Sequence, residues 1–387
     1  MTPFETERSS LNRSASVSSK PAPGYHASGS LDEPQRPRLI PEGAGEPVAG
    51  LPTKPARPDL SRTSPEEVIA RKRVVFLVGA PRSGTTWLQL LLSRSPRVAT
   101  ANETYLFTGY TRSLFAAWAH HQRNVRAVGL HNLMSEEEYF DLIRNFTCKV
   151  MLRILEKNPE ADIVLEKTPD HVLHWRDILK IFPEAYFLHI VRDPRSVVSS
   201  LCAASRVAWG VKWTSREVLM NCEIWIKYIK ESKKLKAATD NFMQVTYQDL
   251  WHNGEETLTS IFSWLDVQVS QTECSTILRE CQIANLRGGR LEGAPWDMTT
   301  EPQEFYRKGG TENWRSELTP RETFLIEHLA RDLMTEFGFV ADSRPRIIFP
   351  LIIASRLRFA LAWRLVARQA KREASSSSKE GTDGQSA

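Results

Sequence analysis

Short apolar runs rich in β-branched residues begin just after Arg73 and recur at 74–78, 98–101, 163–165, 186–191 and 242–245. Between them lie longer segments whose apolar residues repeat at helical spacing, at 85–93, 136–157, 175–181, 195–203 and 215–238. Runs without polar alternation fit strands covered on both faces, and their alternation with helices predicts βαβ units around a parallel sheet. The pattern predicts one α/β domain over 69–342, a three-layer sandwich with a central parallel sheet. Ligands bind such sheets at the carboxyl ends of strands, so the loops after the strands are where function is sought. No internal repeat is visible.

The ends of the chain read differently. Residues 1–68 are rich in Pro, Ser, Gly, Arg and Glu with few clustered apolar residues, too few to offset the entropy of ordering, and are expected to form a disordered arm. Residues 343–372 mix Ile, Leu, Phe and Trp with Arg356, Arg358, Arg364 and Arg368, and Ile352, Phe359, Trp363 and Val366 share one helical face. Pro350 and the arginines argue against a spanning helix, so 347–370 is expected to lie at a membrane surface or dock on the domain. A polar, disordered tail follows over 373–387.

Charge and cysteine usage narrow the setting. A net charge of +5 beside 51 basic residues does not argue for nucleic acid, and suits a ligand with several phosphates or an anionic membrane surface. The 5 cysteines, Cys148, Cys202, Cys222, Cys274 and Cys281, follow neither metal nor disulfide spacing and favour a reducing compartment. No apolar signal core or anchor precedes Arg73, so the expected location is cytoplasmic, with peripheral contact at the membrane.

The first strand runs into Gly79-Ala80-Pro81-Arg82-Ser83-Gly84-Thr85-Thr86-Trp87, which opens a helix. A Gly-x-x-x-x-Gly turn there aims backbone N–H groups and the positive end of a helix dipole at an anion. The strand–loop–helix unit makes the fold class a P-loop nucleoside-triphosphate-hydrolase-like sandwich. A Walker A loop would place Lys after the second glycine, but here Thr85 follows and the cation is Arg82, inside the loop. That departure, with no evident Walker B aspartate, weakens a kinase-like use of metal-bound nucleotide.

Arg82 to Trp87 resemble the 5′-phosphosulfate loop of the superfamily of sulfotransferases that use 3′-phosphoadenosine 5′-phosphosulfate (PAPS). The resemblance implies that Arg82, Ser83, Gly84, Thr85 and Thr86 hold the phosphosulfate and that Trp87 stacks near the adenine. It also implies a second site for the 3′-phosphate. Arg192 and Ser200, around a helix begun by Pro194, match the superfamily's Arg and Ser, and Arg307-Lys308-Gly309 is similar to its later Arg-Lys-Gly segment. Tyr247, in a Tyr-Gln-Asp-Leu run, matches a nucleotide-contacting tyrosine.

Sulfuryl transfer needs a base for the acceptor proton and positive charge on the departing oxygen. Glu103 lies where the heparan and tyrosylprotein sulfotransferases carry a catalytic Glu, and Glu166-Lys167-Thr168-Pro169 resembles the heparan enzymes' segment. The resemblance makes Glu103 the base and Lys167, with Arg82, the stabiliser of the leaving nucleotide. His171 and His174 are the alternative bases. The expected enzyme moves a sulfuryl group from PAPS to a hydroxyl or amine, with no metal. Its acceptor could be a glycan, lipid, peptide or small molecule, with Trp209 and Trp213 as apolar walls. The alternatives are a P-loop kinase-like phosphotransferase and a non-catalytic membrane-surface binding protein.

Overall fold

A computed structural model describes residues 63–342, apart from 125–127, 212, 290 and 303. The segments expected at 343–372 and 373–387, and the arm up to residue 62, lie outside the described residues. The arm boundary expected at 68 falls inside a helix, Pro65–Ala70, begun by a Ser64 and Glu67 capping box and packed through Val68 and Ile69.

Five strands form one sheet: β1 Arg73–Gly79, β2 Val98–Thr100, β3 Ile163–Lys167, β4 Tyr186–Val191 and β5 Phe242–Thr246. Their order is β2-β3-β1-β4-β5 and every pairing is parallel. The strands are apolar throughout because each face is covered. Val74, Phe76 and Val78 point into one core with Phe187 and Val191, and Val75 and Leu77 point into the other with Leu165, Leu188 and Ile190.

The two layers place the functional loops. The chain leaves β1 through the helix Thr85–Leu92, whose Trp87, Leu88 and Leu91 join the second core. It leaves the neighbouring β4 through Pro194–Ala204, whose Val197, Val198 and Leu201 join the first. Connections that part to opposite faces from adjacent strands open a crevice at their carboxyl ends.

Register decides what lies beside what. Leu77 pairs with Lys167, and Gly79 with Ile190. At Gly79 an added Cβ would come within 2.6 Å of the Ile190 carbonyl oxygen, so β1 and β4 could not close around a larger residue.

Candidate functional site

The β1 loop turns on two left-handed residues, Arg82 at φ 71° and Gly84 at φ 99°. A non-glycine residue held there costs about 1–3 kcal/mol, so Arg82 is kept in place by its contacts. Its Nε donates to Ser200 Oγ at 3.1 Å and its Nη2 to the Phe305 carbonyl at 2.7 Å. The guanidinium lies 4.9 Å from the Phe305 ring and 5.5 Å from that of Trp209. Gly84 has no room for a side chain, because a Cβ would meet the Tyr247 ring at 2.6 Å.

Helix Thr85–Leu92 starts without a side-chain cap. Its first turn bond runs from Leu88 N–H to the Gly84 carbonyl, so the N–H groups of Thr85, Thr86 and Trp87 precede the helix ladder and face the loop. Ser83 Oγ is fully buried without a hydrogen-bond partner.

Arg192 reaches the loop from the end of β4. It donates to the Arg82 carbonyl at 3.2 Å and the Gly310 carbonyl at 2.7 Å, and lies 4.0 Å over the Tyr247 ring. Arg82 keeps some surface at the loop mouth, but burial, with the charges of Arg192 and Arg307 close by, pulls it down to about 10. Burial also lowers Arg192, which Arg307 crowds further, and its Nε is buried without a partner. Guanidiniums that repel one another beside unsatisfied donors have the chemistry to hold a multiply charged anion.

The later segment closes over this cluster of arginines. Gly309 and Gly310 take φ of 66° and 77°, and a Cβ on Gly309 would meet Ile283 at 2.9 Å and Trp251 at 3.0 Å. Arg307 Nη2 donates to Glu317 at 2.7 Å, Lys308 Nζ lies 3.2 Å from the same oxygen, and Ser199 Oγ donates to the other. Arg307, Lys308 and the helix carrying Ser200 therefore meet on one carboxylate. Trp87, Tyr247 and Trp251 form an aromatic cluster with centroids 5.4–6.0 Å apart, and Trp87 Nε1 donates to the Cys281 carbonyl at 3.0 Å.

β3 ends in two charged residues on opposite faces. Glu166 accepts from Thr104 and Thr168 hydroxyls, each at 2.7 Å, and lies 2.6 Å from His171 Nδ1. The Phe107 N–H donates to His171 Nε2 at 3.1 Å, so the ring proton is assigned to Nδ1 and both nitrogens are engaged. His174 lies 3.9 Å from Asp177. Lys167, 1% exposed, turns the other way: Nζ donates to Glu103 at 2.5 Å and to Thr86 Oγ1 at 3.2 Å. Lys167 thus bridges the β1 loop and the β2 loop, and does not pair with Glu166.

Many of the sequence-predicted residues gather at the carboxyl ends of β1, β3 and β4, while His174 lies beside Asp177 and Lys308 is 59% exposed beside Glu317. Arg82, Arg192, Ser200 and Tyr247 touch directly, as do Thr86, Lys167 and Glu103. Phe305, Tyr306, Trp251, Ser199 and Glu317 are additions. Phe305 and Tyr306 directly precede Arg307, and Trp251 lies one helical turn after Tyr247, signals that adjacency and spacing carried. Nothing local marks Glu317.

A family model described as Sulfotransferase family matches residues 74–271. A Caenorhabditis briggsae protein assigned as a protein-tyrosine sulfotransferase is 27% identical over 205 residues, 52% of this chain and 68% of that protein. The protein-tyrosine sulfotransferase of Drosophila melanogaster is 26% identical over 196 residues, 50% of this chain but only 38% of its own length. Among solved structures, mouse sulfotransferase SULT7A1 complexed with PAP matches 69% of this chain and 88% of its own at 14% identity, with a TM-score of 0.46.

Proposed function

This chain belongs to the sulfotransferase family, and from that premise we propose that it moves a sulfuryl group from PAPS to an acceptor hydroxyl by in-line displacement. The observation that carries the reading is the contact chain Thr86–Lys167–Glu103, which joins the anion loop to a carboxylate through one buried ammonium. PAPS would supply the sulfuryl group and leave as 3′,5′-adenosine bisphosphate (PAP).

The fit to such a donor rests on the arginine cluster. Ser83 Oγ, Arg192 Nε and Tyr306 OH are buried without protein partners around the clustered arginines. In our reading Ser83, Gly84, Thr85, Thr86 and Arg82 hold the phosphosulfate, and Arg192, Ser200, Arg307, Lys308 and Gly309 hold the 3′-phosphate. Trp87 and Tyr247 flank the base.

Glu103 takes the acceptor proton as the acceptor oxygen forms its new bond to sulfur. The bond from sulfur to the bridging oxygen breaks, and the charge left there falls to Lys167 and Arg82. Turning from Glu103 toward that oxygen, Lys167 frees the carboxylate as the nucleotide seats. With both ring nitrogens engaged, His171 serves to brace the β2 loop, which leaves the proton to Glu103.

Among the described residues no helix is long and apolar enough to cross a membrane. From its mixture of apolar residues and arginines, we propose that 347–370 makes a surface contact with a membrane. Deleting residues 345–387 is expected to abolish sedimentation with anionic vesicles, and unchanged sedimentation would refute that contact. The catalytic reading is tested with labelled PAPS and acceptor extracts. Glu103→Gln should abolish transfer while PAP still binds, and full activity in this variant would overturn the assignment of the base.

A further inference from the structure

Two neighbouring serines on helix Pro194–Ala204 serve different partners. Ser200 Oγ accepts from Arg82, whereas Ser199 Oγ donates to the Glu317 carboxylate. The other oxygen of that carboxylate accepts from Arg307 Nη2 at 2.7 Å and lies 3.2 Å from Lys308 Nζ. Arg307 is within electrostatic reach of Arg82 and Arg192, and Glu317 is within reach of Arg192. One carboxylate therefore stands among the donors assigned above to the 3′-phosphate.

Other carboxylates around these loops have other partners. Glu103 holds Lys167 at 2.5 Å, and Glu301, which accepts from Trp296 Nε1 at 3.1 Å, lies toward Lys167, Glu103 and Arg82. Asp193 pairs with Arg195 at 2.6 Å, and Glu312 and Asp342 pair with Arg315. Among the described residues Glu317 is the carboxylate bonded to Arg307 and Lys308. Burial opposes its charge, yet the Ser199 hydroxyl and Arg307 hold the carboxyl below its usual range, so it is ionised near neutral pH. Its mount is firm. Glu317 ends the one-turn helix Trp314–Glu317, where Trp314 is buried with the Arg195 guanidinium 4.1 Å over its ring.

We propose that Glu317 is an internal competitor of the nucleotide's 3′-phosphate for Arg307, Lys308 and Ser199. A phosphate that reaches Arg192, Ser200 and Arg307 meets a carboxylate already bonded to the same guanidinium, and the two anions share cations that either would hold alone. The nucleotide thus binds less tightly than its own contacts allow. Donor and product carry the same 3′-phosphate, so Glu317 weakens both, and its use to the enzyme is the departure of PAP, since product release limits turnover in many enzymes. This rests on the 3′-phosphate assignment made above and adds a residue that tunes it.

Calorimetry on the full-length protein compares PAP with adenosine 5′-monophosphate, which lacks the 3′-phosphate. Glu317→Gln keeps a side chain able to hydrogen-bond but removes the charge. It should tighten PAP about tenfold while the monophosphate changes less than about twofold, and retained binding of the monophosphate shows that the variant is folded. In stopped flow PAP should leave more slowly by a similar factor. A residue that only braced Arg307 and Lys308 would give the opposite sign. Weaker or unaltered PAP binding in Glu317→Gln therefore overturns the inference, as does equal tightening of the monophosphate. Glu317→Ala, read in the same way, replaces it should the first variant fail to fold. An unaltered protein that binds PAP no better than the monophosphate refutes instead the 3′-phosphate assignment on which the inference rests.

Discussion

Successive residues of a strand point to opposite faces, and at the end of β3 this separates two charges that sequence proximity would pair. Glu166 organises the β2 loop through Thr104, Thr168 and His171, while Lys167 serves the crevice. Replacing Lys167 by Met keeps the stem but removes the charge, and kcat is expected to fall about 100-fold with PAP affinity changed far less, as single-turnover kinetics and calorimetry would show. Gly84→Ala acts through sterics instead. A side chain at φ 99° against Tyr247 costs about 1–3 kcal/mol in backbone strain and displaces the loop, so calorimetry should show weakened PAP binding together with a lowered Tm.

At the scale of the element, β4 contains a titratable group inside the core. His189 is fully buried, 3.3 Å from Gln244 on β5, and burial pulls its imidazole down to about 4. An unfolded histidine titrates near 6.5, so between these values the unfolded chain binds the extra proton and stability falls as the pH drops. The contribution is whole above about pH 6.5, and at pH 5 about 2 kcal/mol of it should be gone. Urea unfolding at both pH values checks this: His189→Leu should lose that part of the slope.

The same scale shows what was legible in the sequence. Strands covered on both faces read as unbroken apolar runs, and four of the five expected segments fall within a residue of the observed bounds. The fifth, expected at 163–165, extends to Ile163–Lys167, because Glu166 and Lys167 interrupt the apolar run while their backbone still pairs with Phe76 and Leu77. The strand–turn–helix unit at Gly79–Thr85 is local and could be read directly. Glu301, Glu317 and the Trp209–Phe305 contact arise from loops that meet only when the chain closes, over separations that no local pattern encodes.

For the whole molecule, a donor bound as proposed should couple to global stability, because the crevice is built from β1, β3 and β4 at the centre of the sheet. PAP at 100 times its Kd should add about 2.7 kcal/mol and raise Tm by about 5–10 °C in a thermal melt. Magnesium-ATP at equal concentration should do neither, and a larger shift with ATP would favour the phosphotransferase alternative.

The order β3-β1-β4 also works as a ruler. Neighbouring strands are about 4.8 Å apart, so the ends that present Lys167, the phosphate loop and Arg192 mark off about 10 Å in two fixed steps. Backbone hydrogen bonding sets those divisions, and side chains only read them. A nucleotide with its anionic groups at another interval would be out of gauge with the sheet itself, and widening the pocket would not bring it into measure.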